Sequence, residues 1–314
     1  MTDIKNQLGG YFFVHFTGEN TRDGEQVYFS LSKDGLHWED LNNGQLVLRS
    51  ESGQKGVRDP FIVRSPKENK FYIIATDLRI ASGMTWQEAV TIGSKDIIVW
   101  ESRDLIHWSE PWSVTVGIPS AGCVWAPEAI YDEQEDNFFV FWASNTKDDN
   151  GEAKHKIYSA RTKNFRNFTP AEKYIELENH VIDTTMIYDD GFYYRFSKDE
   201  TIKNIRVERG TSLEAHSFTV IDIPAFKDLK GVEGPEIFKF NDRDEWCLIV
   251  DRYEQKAGYL PLITSNLPNG DFEILTDDRF DFGGTRKRHG GVINITEEEY
   301  KRLRDFYHLL LINH

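Results

Sequence analysis

Apolar positions along the chain come in short dense runs, without the three-and-four spacing of an amphipathic helix. YFFVHF, QVYFSLS, FYIIAT, IIVWES, FFVFWAS, FYYRFS and EWCLIVD are rich in aromatic and β-branched residues. Turn-forming clusters such as KDG, KEN, DDG and NDRDE separate them. The pattern predicts strands almost throughout. Helical periodicity persists only at the end, where Thr296 and Glu299 form a capping-box pair ahead of EEYKRLRDFYHLLL. A second short helix is expected near residues 86–90.

The strands are grouped, and the groups repeat. One opens with RDPFIV (58–63), the next with WAPEAIYD (125–132), a third with IDTTMIYD (182–189) and a fourth with EGPEIFKF (233–240). Each opening strand is followed by an aromatic strand, a third strand and a closing segment of the type seen in RDLIHW. Four strands per unit at a period of roughly 50 to 70 residues is the signature of propeller blades. A fifth unit is split. Its opening strand RHGGVINI (288–295) lies at the end of the chain, while YFFVHFT, EQVYFSLS and SKDGLHWEDL stand at the beginning. DGLHW near residue 38 mirrors RDLIHW near residue 108, which places the N-terminal strands in the outer part of their own blade. The expected fold is therefore all-β. It is a single five-bladed β-propeller over residues 1–314, its last blade closed by both chain ends, with a short C-terminal helix. Closure of this kind removes an open sheet edge. An open sandwich is the alternative.

Composition narrows the function. Aromatics at 13% and hydrophobics at 39% can fill a large core. A net charge of −15 speaks against nucleic acid and anionic membranes as partners. The first ten residues, MTDIKNQLGG, contain no apolar leader, and no stretch reaches membrane-span length, so a cytoplasmic location is expected. Cys123 and Cys247 sit in apolar runs and read as buried thiols. The N-x-T triplets at Asn167 and Asn294 carry no consequence in that compartment. Nothing specifies an oligomeric state.

In a propeller the opening strands surround the axis, so polar residues in their first turns meet at one face. The five turns offer Arg58-Asp59-Pro60, Trp125-Ala126-Pro127-Glu128, Ile182-Asp183, Glu233-Gly234-Pro235 and Arg288-His289-Gly290. Carboxyl groups in four of the five suit glycoside cleavage, which needs a carboxylate to activate water and a carboxylic acid to protonate the leaving oxygen.

These openings, in this order, resemble glycoside hydrolase family 43. The resemblance covers almost the whole chain, with one departure: about 55 residues precede the D-P turn, which lies nearer the N-terminus in many members. It implies Asp59 as general base, Asp183 as the residue that orients the acid and tunes its pKa, and Glu233 as general acid. It implies inversion, with the two working carboxyls about 6.5–9.5 Å apart, and a Glu233 pKa raised by an ionised Asp183. Glu128 is a rival acid or part of the site wall. Arg58, Arg286 and Arg288 are expected to bind substrate or pair with the carboxylates. Trp86, Trp125 and Phe61 are expected to offer apolar surfaces to sugar rings. His289 resembles an axial histidine near a metal ion or water; no cofactor is required, though a structural calcium or other ion on the axis is compatible. The expected partner is an oligosaccharide. Loops at 77–96, 17–26 and 145–155 suggest a closed pocket and exo action. Terminal α-L-arabinofuranose is the favoured sugar and β-xylose the next. A retaining fructan-processing propeller lacks its N-terminal aspartate here, and a non-catalytic carbohydrate-binding propeller would not need all three carboxyls.

Overall fold

The computed structural model describes residues 8–148 and 150–312; the first seven residues, part of the segment read for a leader, lie outside them. The N-terminal strands β1 (Leu8–His15), β2 (Tyr28–Ser32) and β3 (Trp38–Asp40) form a four-stranded antiparallel sheet with the last strand, β20 (Gly290–Thr296), in the order β20-β1-β2-β3. Four further sheets follow in chain order. They are β4 (Val57–Ser65) to β7 (Trp112–Thr115), β8 (Trp125–Asp132) to β11 (Glu172–Ile175), β12 (Val181–Asp189) to β15 (Thr219–Ile221), and β16 (Glu233–Lys239) to β19 (Glu273–Ile274). This is the five-bladed propeller with a split closing blade. Register Phe13↔Val292 and Val14↔Gly291 joins the two ends of the chain.

Both faces of each blade are covered by neighbours, which explains why the strands read as unbroken apolar runs. In β9 (Asn137–Lys147) nine successive residues, Phe138 to Thr146, are buried. Each interface between blades has its own hydrophobic cluster. Tyr72, Ile74, Phe138 and Trp142 fill one, and Tyr194, Phe196, Leu248 and Val250 another. At the closing blade Phe12, Phe29 and Trp100 pack with Leu303 and Tyr307 of helix α2 (Glu297–Ile312). The expected capping box is formed: Glu299 N donates to Thr296 Oγ1 (3.2 Å) and Thr296 N to Glu299 Oε2 (2.8 Å). Helix α1 (Trp86–Thr91), held by a second capping box at Thr85, sits in the loop after β5 (Lys70–Asp77). Among the described residues no helix is long and apolar enough to cross a membrane.

Candidate active site

Four opening strands begin with the same irregularity. Pairing with the second strand slips between Arg58 and Phe61, Trp125 and Glu128, Ile182 and Thr184, and Glu233 and Glu236. In each bulge the second residue is left-handed: Asp59 (φ 50°), Ala126 (46°), Asp183 (46°) and Gly234 (52°). A bulge re-aims side chains and is common beside active sites. Aspartate tolerates this conformation better than most residues, and glycine adopts it freely. Backbone geometry is therefore repeated around the axis while side-chain chemistry varies.

The bulge sorts the opening residues into layers. Those in first position, Arg58, Trp125, Ile182, Glu233 and Arg288, all line one pocket of about 520 Å³. Two second-position residues, Asp59 and Asp183, reach the same pocket. Those in fourth position, Phe61, Glu128, Thr185, Glu236 and Gly291, lie outside it. Phe61 thus does not meet the pocket. Its ring packs against Gly291, where an added Cβ would come within 2.9 Å of Phe61 Cδ2. Glu128 also leaves the wall: it is buried outside the pocket with neither oxygen hydrogen-bonded, and burial raises its pKa to about 7.

Each carboxyl has its own setting. Thr76 Oγ1 donates to Asp59 Oδ2 (2.9 Å) and accepts from Ala126 N (2.7 Å), so one hydroxyl ties two bulges together. Burial opposes ionisation of Asp59, but His289, Arg58 and Thr76 outweigh it and hold the carboxyl below its ordinary range. Gly234 N donates to Asp183 Oδ2 (3.1 Å), and burial lifts Asp183 to about 6. Glu233 accepts from Lys198 Nζ (2.9 Å) and Arg288 Nη2 (2.6 Å). Burial would raise Glu233, yet these two cations bring it below the usual carboxylate range. The expectation that an ionised Asp183 raises Glu233 is thereby reversed. Of the two, Asp183 is the more easily protonated: burial raises it against the pull of His289 and Lys198, whereas Lys198 and Arg288 bring Glu233 down.

The arginines separate. Arg58 Nη1 pairs with Glu19 (3.1 Å) and Glu25 (3.0 Å), and its guanidinium lies 5.0 Å from the Trp86 ring centre. Arg288 also donates from Nε to the buried Asp251 (2.5 Å). Arg286 lines the pocket without a salt bridge or hydrogen bond among the described residues. Trp86 is 47% exposed and meets Trp125 edge-to-face at 6.3 Å, forming the apolar wall.

Sequence reasoning missed Lys198, Glu200, Tyr253 and Lys256. Lys198 is the penultimate residue of β13 (Phe192–Asp199), buried between Glu200 and Glu233 with its ammonium over the Tyr253 ring. A buried charge closing the run FYYRFSK was the available signal.

The axial ion expected at His289 does not fit. The ring itself stands between the carboxylates, with Nδ1 3.5 Å from Asp59 and 3.8 Å from Asp183, and Nε2 3.6 Å from Glu128. Burial opposes its protonation, but these three carboxyls raise its pKa well above the ordinary value. Among the described residues no group of three or more His, Cys, Asp or Glu side chains is arranged to hold a metal.

A family model described as a probable glycosyl hydrolase domain, of the class related to glycoside hydrolase family 43, matches residues 6–301. An α-L-arabinofuranosidase of Bifidobacterium longum subsp. longum is 31% identical over 295 residues, which cover 79% of this chain and 27% of that protein. The chain spans about a quarter of the length of that curated relative. Among solved structures, an exo-β-1,3-galactanase from Clostridium thermocellum superposes with a TM-score of 0.61 at 13% identity, covering 91% of this chain and 62% of that one. The catalytic domain of a family-62 α-L-arabinofuranosidase from Coprinopsis cinerea gives 0.51 at 11% identity, covering 77% and 74%. At these identities the structural likeness is one of fold. With the matched domain spanning nearly the whole propeller, the chain belongs to the glycosyl hydrolases related to glycoside hydrolase family 43.

Proposed function

We propose that this propeller is an inverting, exo-acting α-L-arabinofuranosidase. The observation that carries the reading is the convergence of Asp59, Asp183 and Glu233, from three different blades, on one pocket. At about 520 Å³ the pocket suits a terminal sugar more than a long chain. The arabinofuranosidase relative supports the choice of sugar.

In this mechanism Asp59, kept ionised, takes a proton from water as the water attacks the anomeric carbon. Glu233 gives its proton to the departing oxygen. Glu233 is held ionised by its two cations, so it must first take up a proton, by transfer from the raised Asp183 or from water. That uptake requires sugar hydroxyls to draw Lys198 or Arg288 away from the Glu233 carboxylate. The cations thus act as a latch that releases the acid when the sugar is seated.

The test is a panel of p-nitrophenyl glycosides with wild type, Asp59→Ala and Glu233→Ala. The α-L-arabinofuranoside should be cleaved, with a loss of about 10²–10⁴-fold in Asp59→Ala. Glu233→Ala should suffer less on activated aryl glycosides than on natural ones. Cleavage of the β-xyloside alone would keep the mechanism and replace the sugar; no cleavage of any member would overturn the reading.

A further inference from the structure

We propose that the natural substrate is an acidic oligosaccharide, and that Arg286 and Lys256 bind a carboxylate on the sugar that leaves. This rests on the glycosidase reading above and names the substrate class for that site.

Arg58 is engaged by Glu19 and Glu25, Arg288 by Glu233 and Asp251, Lys198 by Glu233 and Glu200, and Lys203 by Glu200. Two cations remain. Among the described residues neither Lys256 nor Arg286 makes a side-chain hydrogen bond or an ion pair, and Arg286 Nε is shut away from solvent with no acceptor. Asp251, whose charge is felt by Arg286, accepts from Arg288 through Oδ2 and keeps Oδ1 without a hydrogen bond. In a chain with a net charge of −15, the only unpartnered charges lining this pocket among the described residues, apart from the catalytic carboxyls, are positive. A buried donor without a partner is uncommon and is ordinarily satisfied by water or ligand.

Position assigns these cations to the leaving side. Beyond them lies a second concavity of about 510 Å³, which shares Lys256 and Arg286 with the active pocket and has Phe280 and Phe282 in its lining. A leaving sugar seated in that concavity would join one in the active pocket past Lys256 and Arg286, the residues common to both linings; Asp277, paired with Arg252, and Asp281 also line it. Lys256 caps the turn between β17 (Trp246–Asp251) and β18 (Tyr259–Thr264) in a left-handed conformation (φ 55°), with its N–H donating to Tyr253 O. A guanidinium fork and an ammonium on two sides match a planar carboxylate.

The test is calorimetric titration of digalacturonate against carboxyl-neutral galactobiose at low salt. Wild type should bind the acid about tenfold more tightly, the effect of one ordinary charge-assisted hydrogen bond, and the preference should fade in high salt. Arg286→Gln and Lys256→Gln should each lose most of it, while Arg286→Lys and Lys256→Arg keep it. If Arg286→Gln is unstable, Lys256→Gln, on an exposed turn, decides. Equal binding of the two probes, or a preference that survives in the double Gln variant, overturns the proposal. Turnover of a neutral aryl glycoside is followed in parallel. An active enzyme without acid preference defeats this inference alone, whereas preference without turnover defeats the glycosidase reading and leaves the anion site standing.

Discussion

Replacing Lys198 by Met probes the latch on Glu233. The substitution is survivable because each anion that Lys198 touches keeps another cation: Glu233 retains Arg288, and Glu200 retains Lys203. Methionine refills much of the stem's volume, so the loss of stability should stay within about 2 kcal/mol. At 2.9 Å and an effective dielectric of about 20, a pair of unit charges interacts by about 6 kcal/mol. Glu200 shares the same ammonium at 2.7 Å and Glu233 is 17% exposed, so the usable part is smaller. About 1.5–3 kcal/mol remains, the worth of a hydrogen bond to a charged group. Removing it makes Glu233 hold its proton roughly ten- to a hundredfold more tightly. The assay is kcat/KM against pH on an aryl α-L-arabinofuranoside, where the alkaline limb reports the acid in free enzyme. Wild type should show that limb on the acid side of neutrality, because Glu233 is held low. In Lys198→Met the limb moves upward, whatever happens to the height of the profile. A limb that stays in place, or moves down, in a folded variant refutes the latch.

Two further outcomes follow from the same layer of residues. Gly234→Ala should lose most activity and about 2–4 kcal/mol of stability. Its backbone is left-handed, and the new Cβ would lie 2.7 Å from His289 Cγ; thermal unfolding beside turnover reads both, and near-wild-type values would count against the bulge geometry. Glu128→Gln addresses the buried carboxyl outside the pocket, which burial raises to about 7. A raised carboxyl stabilises the fold most below its unfolded pKa of about 4.3 and loses that contribution as pH climbs through 7. The variant should therefore gain on wild type as pH rises from about 4.5 to 7.5, by at most about 1.4 kcal/mol per pH unit. Denaturant unfolding across that range measures the difference, and a constant or shrinking difference would speak against a proton held there.

The propeller was legible because both faces of every blade are buried, so each strand advertised itself as an apolar run and each blade as a repeat. The split blade was legible from one match, DGLHW against RDLIHW. Four carboxyls stood out because they open equivalent turns, and the resemblance to family 43 singled out three of them. Their layering did not stand out. Glu233 occupies first position and the two aspartates second, a difference of one residue that only the bulge reveals. The same slip moved Phe61 and Glu128 out of the wall, since fourth-position side chains pack around Gly291 and His289. Lys198 and Lys256 come from the end of one second strand and the turn after another, where no repeated pattern marks them. Missing Lys198 also reversed the expected shift of Glu233, because Lys198 and Arg288 together outweigh its burial.

The central claim is that Asp59 directs water onto the face of the sugar opposite the leaving group. Proton NMR of the first product formed from an aryl α-L-arabinofuranoside tests this most directly. The account predicts that the β-anomer of arabinofuranose appears first and the α-anomer only by later mutarotation, with neither formed by Asp59→Ala. Initial appearance of the α-anomer would mean retention, a covalent intermediate and a nucleophile, and would contradict the assignment of Asp59 as general base.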